Sequence, residues 1–61
     1  MPQIIVYCVE GQTAENKKKL MKGVTDAVVE HFGSNPEAVI VQIVEAPKTE
    51  KSKGGVPFSE R

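Results

Sequence analysis

Two runs of mostly β-branched residues lie at residues 3–9 and 39–45, and the first of them also contains the aromatic Tyr7. Such residues favour β-strands, and in both runs apolar side chains fall on both alternating faces. A strand that is apolar on both faces must be covered on both, by helices or by another subunit. The pattern therefore predicts two strands, each enclosed between two layers of structure.

Between these runs, apolar residues recur at helical spacing and predict one amphipathic helix. The predicted apolar stripe consists of Leu20, Val24, Ala27, Val28 and His31. Thr13 is a suitable N-cap, Gly33 is a suitable C-cap, and Pro36 prevents the helix from continuing. Gly23 lies mid-helix, where glycine costs roughly 1 kcal/mol relative to alanine. Close packing of Gly23 against the sheet is one reason to accept that cost.

A strand, a helix and a strand within residues 3–45 predict a single βαβ unit of the α/β class. The crossover of such units is right-handed in nearly all known proteins, so the two strands should be parallel. The pair Gly54 and Gly55 indicates a tight turn or a short hairpin near the carboxyl end. Since no repeat, linker or composition change divides the chain, residues 1–61 are expected to form one domain.

The small size of the chain makes self-association the expected source of stability. A domain of 61 residues buries only about 60% of its unfolded surface, and domains of this size usually depend on disulfides, metals or oligomerisation. Cys8 is the only cysteine and His31 the only histidine, so neither an intrachain disulfide nor a Cys–His metal site is expected. Oligomerisation remains, and a homo-oligomer is expected.

The charge balance narrows the class of partner. Eight basic and eight acidic residues give a net charge of zero, which argues against a nucleic-acid-binding protein because such proteins carry a basic surplus. No apolar stretch approaches the ~20 residues of a membrane span, and the first residues lack the pattern of a signal peptide. A free cysteine suits a reducing compartment, so a cytoplasmic location is expected.

Pro2 is the strongest candidate for chemistry, because it follows Met1 directly at the start of the first predicted strand. Removal of Met1 is favoured before a small residue and would leave a secondary amine. An α-amino group titrates near ~8, and burial or cationic neighbours lower its pKa, towards the range in which general bases work best. The alternative is a proline that merely begins a strand, where its missing N–H costs no ladder bond. A retained Met1 would convert the amine into an amide.

The order of these features resembles a known family. The chain carries, in sequence, Pro2, the run Val9-Glu10-Gly11, a predicted helix, the run Val41-Gln42-Ile43-Val44-Glu45 and the pair Gly54-Gly55. Together they resemble the short-chain members of the tautomerase superfamily, the 4-oxalocrotonate tautomerase family, over essentially the whole chain. In that family a βαβ unit with a terminal hairpin pairs into dimers with a four-stranded sheet, and three dimers usually form a hexamer. The processed proline moves a proton between oxygen and carbon of an enol acid.

The resemblance implies an isomerase in which Pro2 is first the base and then the acid, with a small carboxylate as substrate and no cofactor. The substrate-binding positions depart from the family pattern. Gln12 and Ile40 stand where the family has arginines, and Lys51 stands where it has an aromatic residue. Each missing charge-assisted contact removes ~1.5–3 kcal/mol, so a monocarboxylate such as an aryl or alkyl enolpyruvate fits better than a dicarboxylate.

Lys51 can offset part of this loss, since a nearby ammonium also lowers the pKa of the proline amine. Lys48 and Lys53 are further candidates, and the alternative for all three is a solvated surface charge. A second class of function also follows from the missing arginines: a non-catalytic subunit of a hetero-oligomer, in which a paralogous partner supplies the active residues.

Overall fold

A computed structural model describes all residues from Met1 to Arg61 and shows a βαβ unit followed by a hairpin. The elements are β1 (Gln3–Val9), α1 (Ala14–Phe32), β2 (Ile40–Ala46), β3 (Ser52–Lys53) and β4 (Val56–Pro57). Strands β1 and β2 are parallel and in register from the pair Gln3–Ile40 to the pair Val9–Ala46. The predicted architecture is confirmed. No helix of the chain combines the length and the apolar character needed to cross a membrane.

Both predicted ends of the helix are confirmed by capping contacts. The Thr13 hydroxyl oxygen accepts the backbone N–H of Asn16 at 3.1 Å, which satisfies one of the free donors of the first turn. At the other end Gly33 adopts a left-handed conformation with φ 69° and donates its N–H to the Val29 carbonyl, as expected for a glycine that ends a helix. The capping hydrogen bonds at Thr13 and Gly33 therefore fix where the helix begins and ends.

The second strand is displaced by one residue from its predicted bounds, since it runs from Ile40 to Ala46 and not over residues 39–45. A 3-10 turn at Pro36–Ala38 precedes it, and the N–H of Val39 donates to the Pro36 carbonyl at 3.2 Å. Val39 therefore belongs to the turn. Ala46 joins the ladder opposite Val9, which extends the strand at its other end.

One face of the sheet is covered by the helix, but the covering stripe differs from the predicted one. The half-buried residues on that side of the helix include Lys17, Met21, Val24 and Val28. Leu20, Ala27 and His31 of the predicted stripe are exposed in the single chain. The explanation offered for Gly23 is also wrong, because a Cβ at this position would meet no atom within 4 Å.

The opposite face of the sheet is uncovered, and we call it the open face. Its apolar residues are Ile5, Tyr7, Ile40 and Val44, with exposed fractions of 43%, 71%, 43% and 36%. No residue of the chain is buried, and the chain exposes 4697 Å², against about 3,900 Å² for a compact monomer of this mass. The radius of gyration is 14.4 Å, against about 10.5 Å for a compact domain of this length. The chain has no core of its own.

The predicted hairpin is confirmed at residues 52–57. Gly54 and Gly55 have φ values of 62° and 82°, which is the pattern of a two-residue type I′ turn and requires residues that tolerate positive φ. Two contacts close the hairpin against the tail: the N–H of Phe58 donates to the Lys51 carbonyl at 2.8 Å, and the Arg61 guanidinium donates to the Lys53 carbonyl at 2.9 Å.

The open face generates a prediction about assembly. In Ile5→Glu, a carboxylate must be buried without a partner when subunits cover this face, which costs several kcal/mol. We expect the variant to sediment as a monomer and to lose most of its helical circular dichroism. Lys18→Glu, on the exposed side of the helix, is the matched control and should sediment like the unmodified chain. An Ile5→Glu chain that sediments like the unmodified one would contradict the prediction.

Candidate active site

Pro2 lies immediately before β1, at the end of the sheet where the two parallel strands begin. Its carbonyl accepts the N–H of Ile40 at 3.0 Å, and the residue is half-buried. This contact uses only the carbonyl, so the proline nitrogen takes no part in the ladder. Met1, by contrast, is 88% exposed, so the terminal residue stands open to solvent.

Ile40 is the neighbour of Pro2 at this end of the sheet, as the first residue of β2, paired with Gln3. Its side chain is 43% exposed and belongs to the open face. The isoleucine side chain offers no hydrogen bond and no charge, so at this position it can contribute only apolar surface.

Gln12 lies at the opposite end of the sheet, beyond the carboxyl ends of the two strands. The N–H of Glu10 donates to the Ala46 carbonyl at 2.9 Å and continues the pairing beyond β1. Gly11 then turns the chain with φ 127°, a conformation that glycine alone adopts readily, and Gln12 follows just before the N-cap Thr13. Because the seven residues of β1 span about 23 Å, Gln12 is remote from Pro2 of the same chain.

Two side-chain contacts organise the corner around Gln12. The Asn16 amide nitrogen Nδ2 donates to Gln12 Oε1 at 3.3 Å. Lys17 Nζ lies 2.7 Å from Glu45 Oε1, and both side chains are only about one-third exposed, at 29% and 30%. A cavity of about 260 Å³ opens at this corner. It is lined by Val6, Cys8, Gln12, Asn16, Lys17, Leu20 and Ile43.

Lys51 lies beyond the carboxyl end of β2, in the segment that leads into the hairpin. It is half-buried, whereas Lys48 and Lys53 are exposed. Arg61 joins this cationic segment through its contact with the Lys53 carbonyl. In one chain, therefore, the fold brings Pro2 and Ile40 together where the strands begin. Gln12 and Lys51 lie beyond the end of the sheet where the strands finish.

The sequence does not single out Arg61 or Asn16. Arg61 is the only arginine of the chain. Because Gln12 and Ile40 stand where arginines are expected, the one arginine that is present is the signal that could have identified Arg61. For Asn16 the signal is its spacing of four residues from Gln12, which places side chains on one side of a helix. No group of three or more His, Cys, Asp or Glu side chains is arranged to hold a metal ion.

The chain matches the sequence model of the family described as tautomerase enzyme over residues 2–61. A protein of Bradyrhizobium diazoefficiens, named a probable tautomerase, is 46% identical over 61 residues, covering 100% of this chain and 91% of that protein. The match to the family model begins at Pro2 and includes every candidate residue.

Solved structures give the same result. The crystal structure of a 4-oxalocrotonate tautomerase homologue superposes with a TM-score of 0.94 at 30% identity, covering 100% of this chain and 97% of that one. A heterohexamer 4-oxalocrotonate tautomerase from Chloroflexus aurantiacus superposes with a TM-score of 0.90 at 27% identity, covering 98% and 97% of the two chains.

Proposed function

Since the chain belongs to the tautomerase enzyme family, we propose that it converts the enol of a small 2-oxo acid into the keto form, with Pro2 as the proton carrier. The observation that carries the proposal is the position of Pro2. It is half-buried at the start of β1, and its nitrogen takes no part in the ladder. Removal of Met1 would turn that nitrogen into an amine fixed by a strand.

The proposed reaction needs one group that acts twice. The neutral Pro2 amine takes the proton of the enol hydroxyl, and the electron pair of that O–H bond forms the keto carbonyl while the double bond shifts. The resulting ammonium then delivers the same proton to the carbon end of the former double bond. An amine with a pKa near neutrality suits both steps, and fixed donors around the substrate stabilise the charge that develops on oxygen.

The separation of Pro2 and Gln12 implies that the site is completed by a second copy of the chain. Strand β1 has a free edge, because the sheet contains only β1 and β2. If two copies pair antiparallel along this edge, the two-fold symmetry places Pro2 of each beside Gln12 of the partner subunit. Pairing through β2 would instead leave Pro2 on an outer strand of the sheet, away from the partner subunit.

Further association follows from the open face. Dimers formed through β1 would still expose Ile5, Tyr7 and Val44 on the open face. We propose a homo-hexamer built as a trimer of dimers, which covers these surfaces with further copies. A cytoplasmic location is proposed with it, since a reducing environment keeps Cys8 a free thiol.

The residues around the proposed site favour a monocarboxylate with an apolar tail. Ile40 supplies an apolar wall beside Pro2, and Gln12 offers a hydrogen bond without charge. Lys51, half-buried at the base of the hairpin, is the proposed cation for the single carboxylate. Such a site holds an aryl or alkyl enolpyruvate and leaves a second carboxylate without a charged partner.

Replacement of Pro2 tests the proton carrier. In Pro2→Ala, kcat/KM for the ketonisation of phenylenolpyruvate should fall about 10²- to 10⁴-fold, the range that a general acid–base group contributes. A chain with one additional, unremovable residue before Pro2 keeps the proline but has an amide, and should be equally inactive. Intact mass should show that Met1 is absent from the active protein. Equal rates in all three proteins would exclude Pro2 as the proton carrier.

Replacement of Gln12 tests the proposed substrate class. In Gln12→Arg, the restored charge-assisted contact is worth ~1.5–3 kcal/mol. We therefore expect kcat/KM for the dicarboxylic enol 2-hydroxymuconate to rise roughly ten- to a hundredfold. The rate with phenylenolpyruvate, which has one carboxylate, serves as the internal control and should change little. An equal change with both substrates would contradict the assignment of Gln12 to the distal end of the substrate.

A second candidate function is that of a non-catalytic subunit in a hetero-oligomer. It is favoured by the absence of arginine at Gln12 and Ile40, and one similar solved structure comes from a heterohexamer. In this case the purified chain would retain Met1 and show no turnover. Activity would appear only on co-assembly with a second short chain that carries those arginines.

A further inference from the structure

The amide of Gln12 is held in one orientation by its neighbour in the first turn of α1. Asn16 Nδ2 donates to Gln12 Oε1 at 3.3 Å. The backbone of Asn16 is fixed in the first turn of the helix, because its N–H donates to the Thr13 hydroxyl oxygen at 3.1 Å. The Gln12 oxygen therefore already accepts one hydrogen bond, while the two N–H donors of the same amide make none within the chain.

The corner that carries this contact is tied to the sheet. The backbone N–H of Lys17 donates to the Thr13 carbonyl at 3.0 Å, and the Lys17 ammonium lies 2.7 Å from the Glu45 carboxylate near the end of β2. Lys17 thus links the start of the helix to the strand. The position of Asn16 relative to the carboxyl end of the sheet follows from that link.

We propose that Asn16 is a positioning residue which directs the NH₂ group of Gln12, and not its oxygen, towards the substrate. This inference rests on the proposed function, in which Gln12 lies beside Pro2 of the partner subunit. The contact with Asn16 turns the Gln12 oxygen towards the helix, and the two N–H donors of the amide remain unpaired. Among monocarboxylates with an apolar tail, the site therefore favours one whose distal end carries a neutral oxygen acceptor, such as a ketone, ester or amide carbonyl.

The chemistry of the pair explains the selectivity. A neutral donor satisfies a carbonyl oxygen with one hydrogen bond, but it supplies no charge to compensate the desolvation of a second carboxylate. A site arranged to donate a hydrogen bond also discriminates against a substrate that lacks the acceptor, because its own polar group is then left unpaired. Among the monocarboxylates proposed above, Gln12 and Asn16 together thus favour one whose apolar tail ends in a neutral polar group, and they disfavour a second carboxylate.

Asn16→Asp reverses the polarity of the contact. A carboxylate only accepts hydrogen bonds, so Gln12 must rotate to donate its NH₂ group to the new side chain, and its oxygen then faces the substrate. An acidic residue in the first turn favours the helix, so the variant should fold. Two substrates are compared: an enolpyruvate with a distal methyl ketone, and phenylenolpyruvate. The ratio of their kcat/KM values should shift at least about tenfold against the ketone, mainly through KM.

The charge of the new carboxylate is separated from its effect on Gln12 by a double-mutant cycle. In a Gln12→Leu background no amide is left to rotate, so Asn16→Asp should leave the substrate ratio unchanged. Asn16→Leu, which has a similar shape but no polar group, frees Gln12 and should give an intermediate ratio. A ratio that shifts equally in the presence and absence of Gln12 would overturn the inference.

A spectroscopic measurement tests the contact without turnover. The side-chain amide signals of Gln12 in a ¹H–¹⁵N spectrum should move in Asn16→Asp, because the NH₂ group becomes a donor to a carboxylate, and should move less in Asn16→Leu. Unmoved signals in both variants would overturn the inference, even where Pro2→Ala still abolishes activity. If Pro2→Ala leaves activity intact while the Gln12 signals move as expected, the proposed function fails but the orientation of Gln12 stands.

Discussion

The absence of a core in the single chain is the constraint on which the rest of the structure depends. A two-stranded sheet with one helix can cover only one of its faces, and here even that layer leaves every residue partly exposed. The strands are nevertheless apolar on both faces, a composition that is stable only between two layers. The free edge of β1 and the open face therefore call for other subunits to cover them, which would couple assembly to folding. The proposed active site is a consequence of the same constraint.

In the proposed site, that coupling brings together residues that a single chain keeps apart. The proposed role of Pro2 needs no side-chain scaffold, because the position of its nitrogen is set by β1 and by the contact with Ile40. Gln12, which would bind the substrate, comes from the opposite end of the sheet, where it lies between Gly11 and the N-cap Thr13. In the proposed dimer, a two-fold axis brings the amino end of β1 in one subunit next to the carboxyl end of β1 in its partner. The same axis creates two equivalent sites.

Much of the fold could be predicted from the sequence, because its signals are local. The caps at Thr13 and Gly33 and the paired glycines of the hairpin are set by the conformations of single residues. The apolar stripe was harder, since helical periodicity records every apolar position without saying what covers it. Leu20 and Ala27 are exposed in the single chain, so their apolar character is explained by surfaces outside it. The bounds of β2 were missed by one residue because Val39 hydrogen-bonds within the preceding turn.

The site was less predictable than the fold, because its geometry depends on where strands end in space. The predicted strand over residues 3–9 already separates Pro2 from Gln12, but the sequence does not show what lies beside each of them, and the side-chain contact between Asn16 and Gln12 becomes visible only in the structure. The most direct test of a site shared between subunits is complementation. Pro2→Ala chains, which lack the proton carrier, and Gln12→Glu chains, in which a carboxylate would face the acceptor oxygen of the substrate, are co-expressed, and the mixed oligomers are assayed with the enolpyruvate that carries a distal methyl ketone. A shared site restores about a quarter of the unmodified activity, since half of the random dimers are mixed and each has one intact site. No recovery in oligomers shown to be mixed would mean that Pro2 and Gln12 do not act in the same shared site.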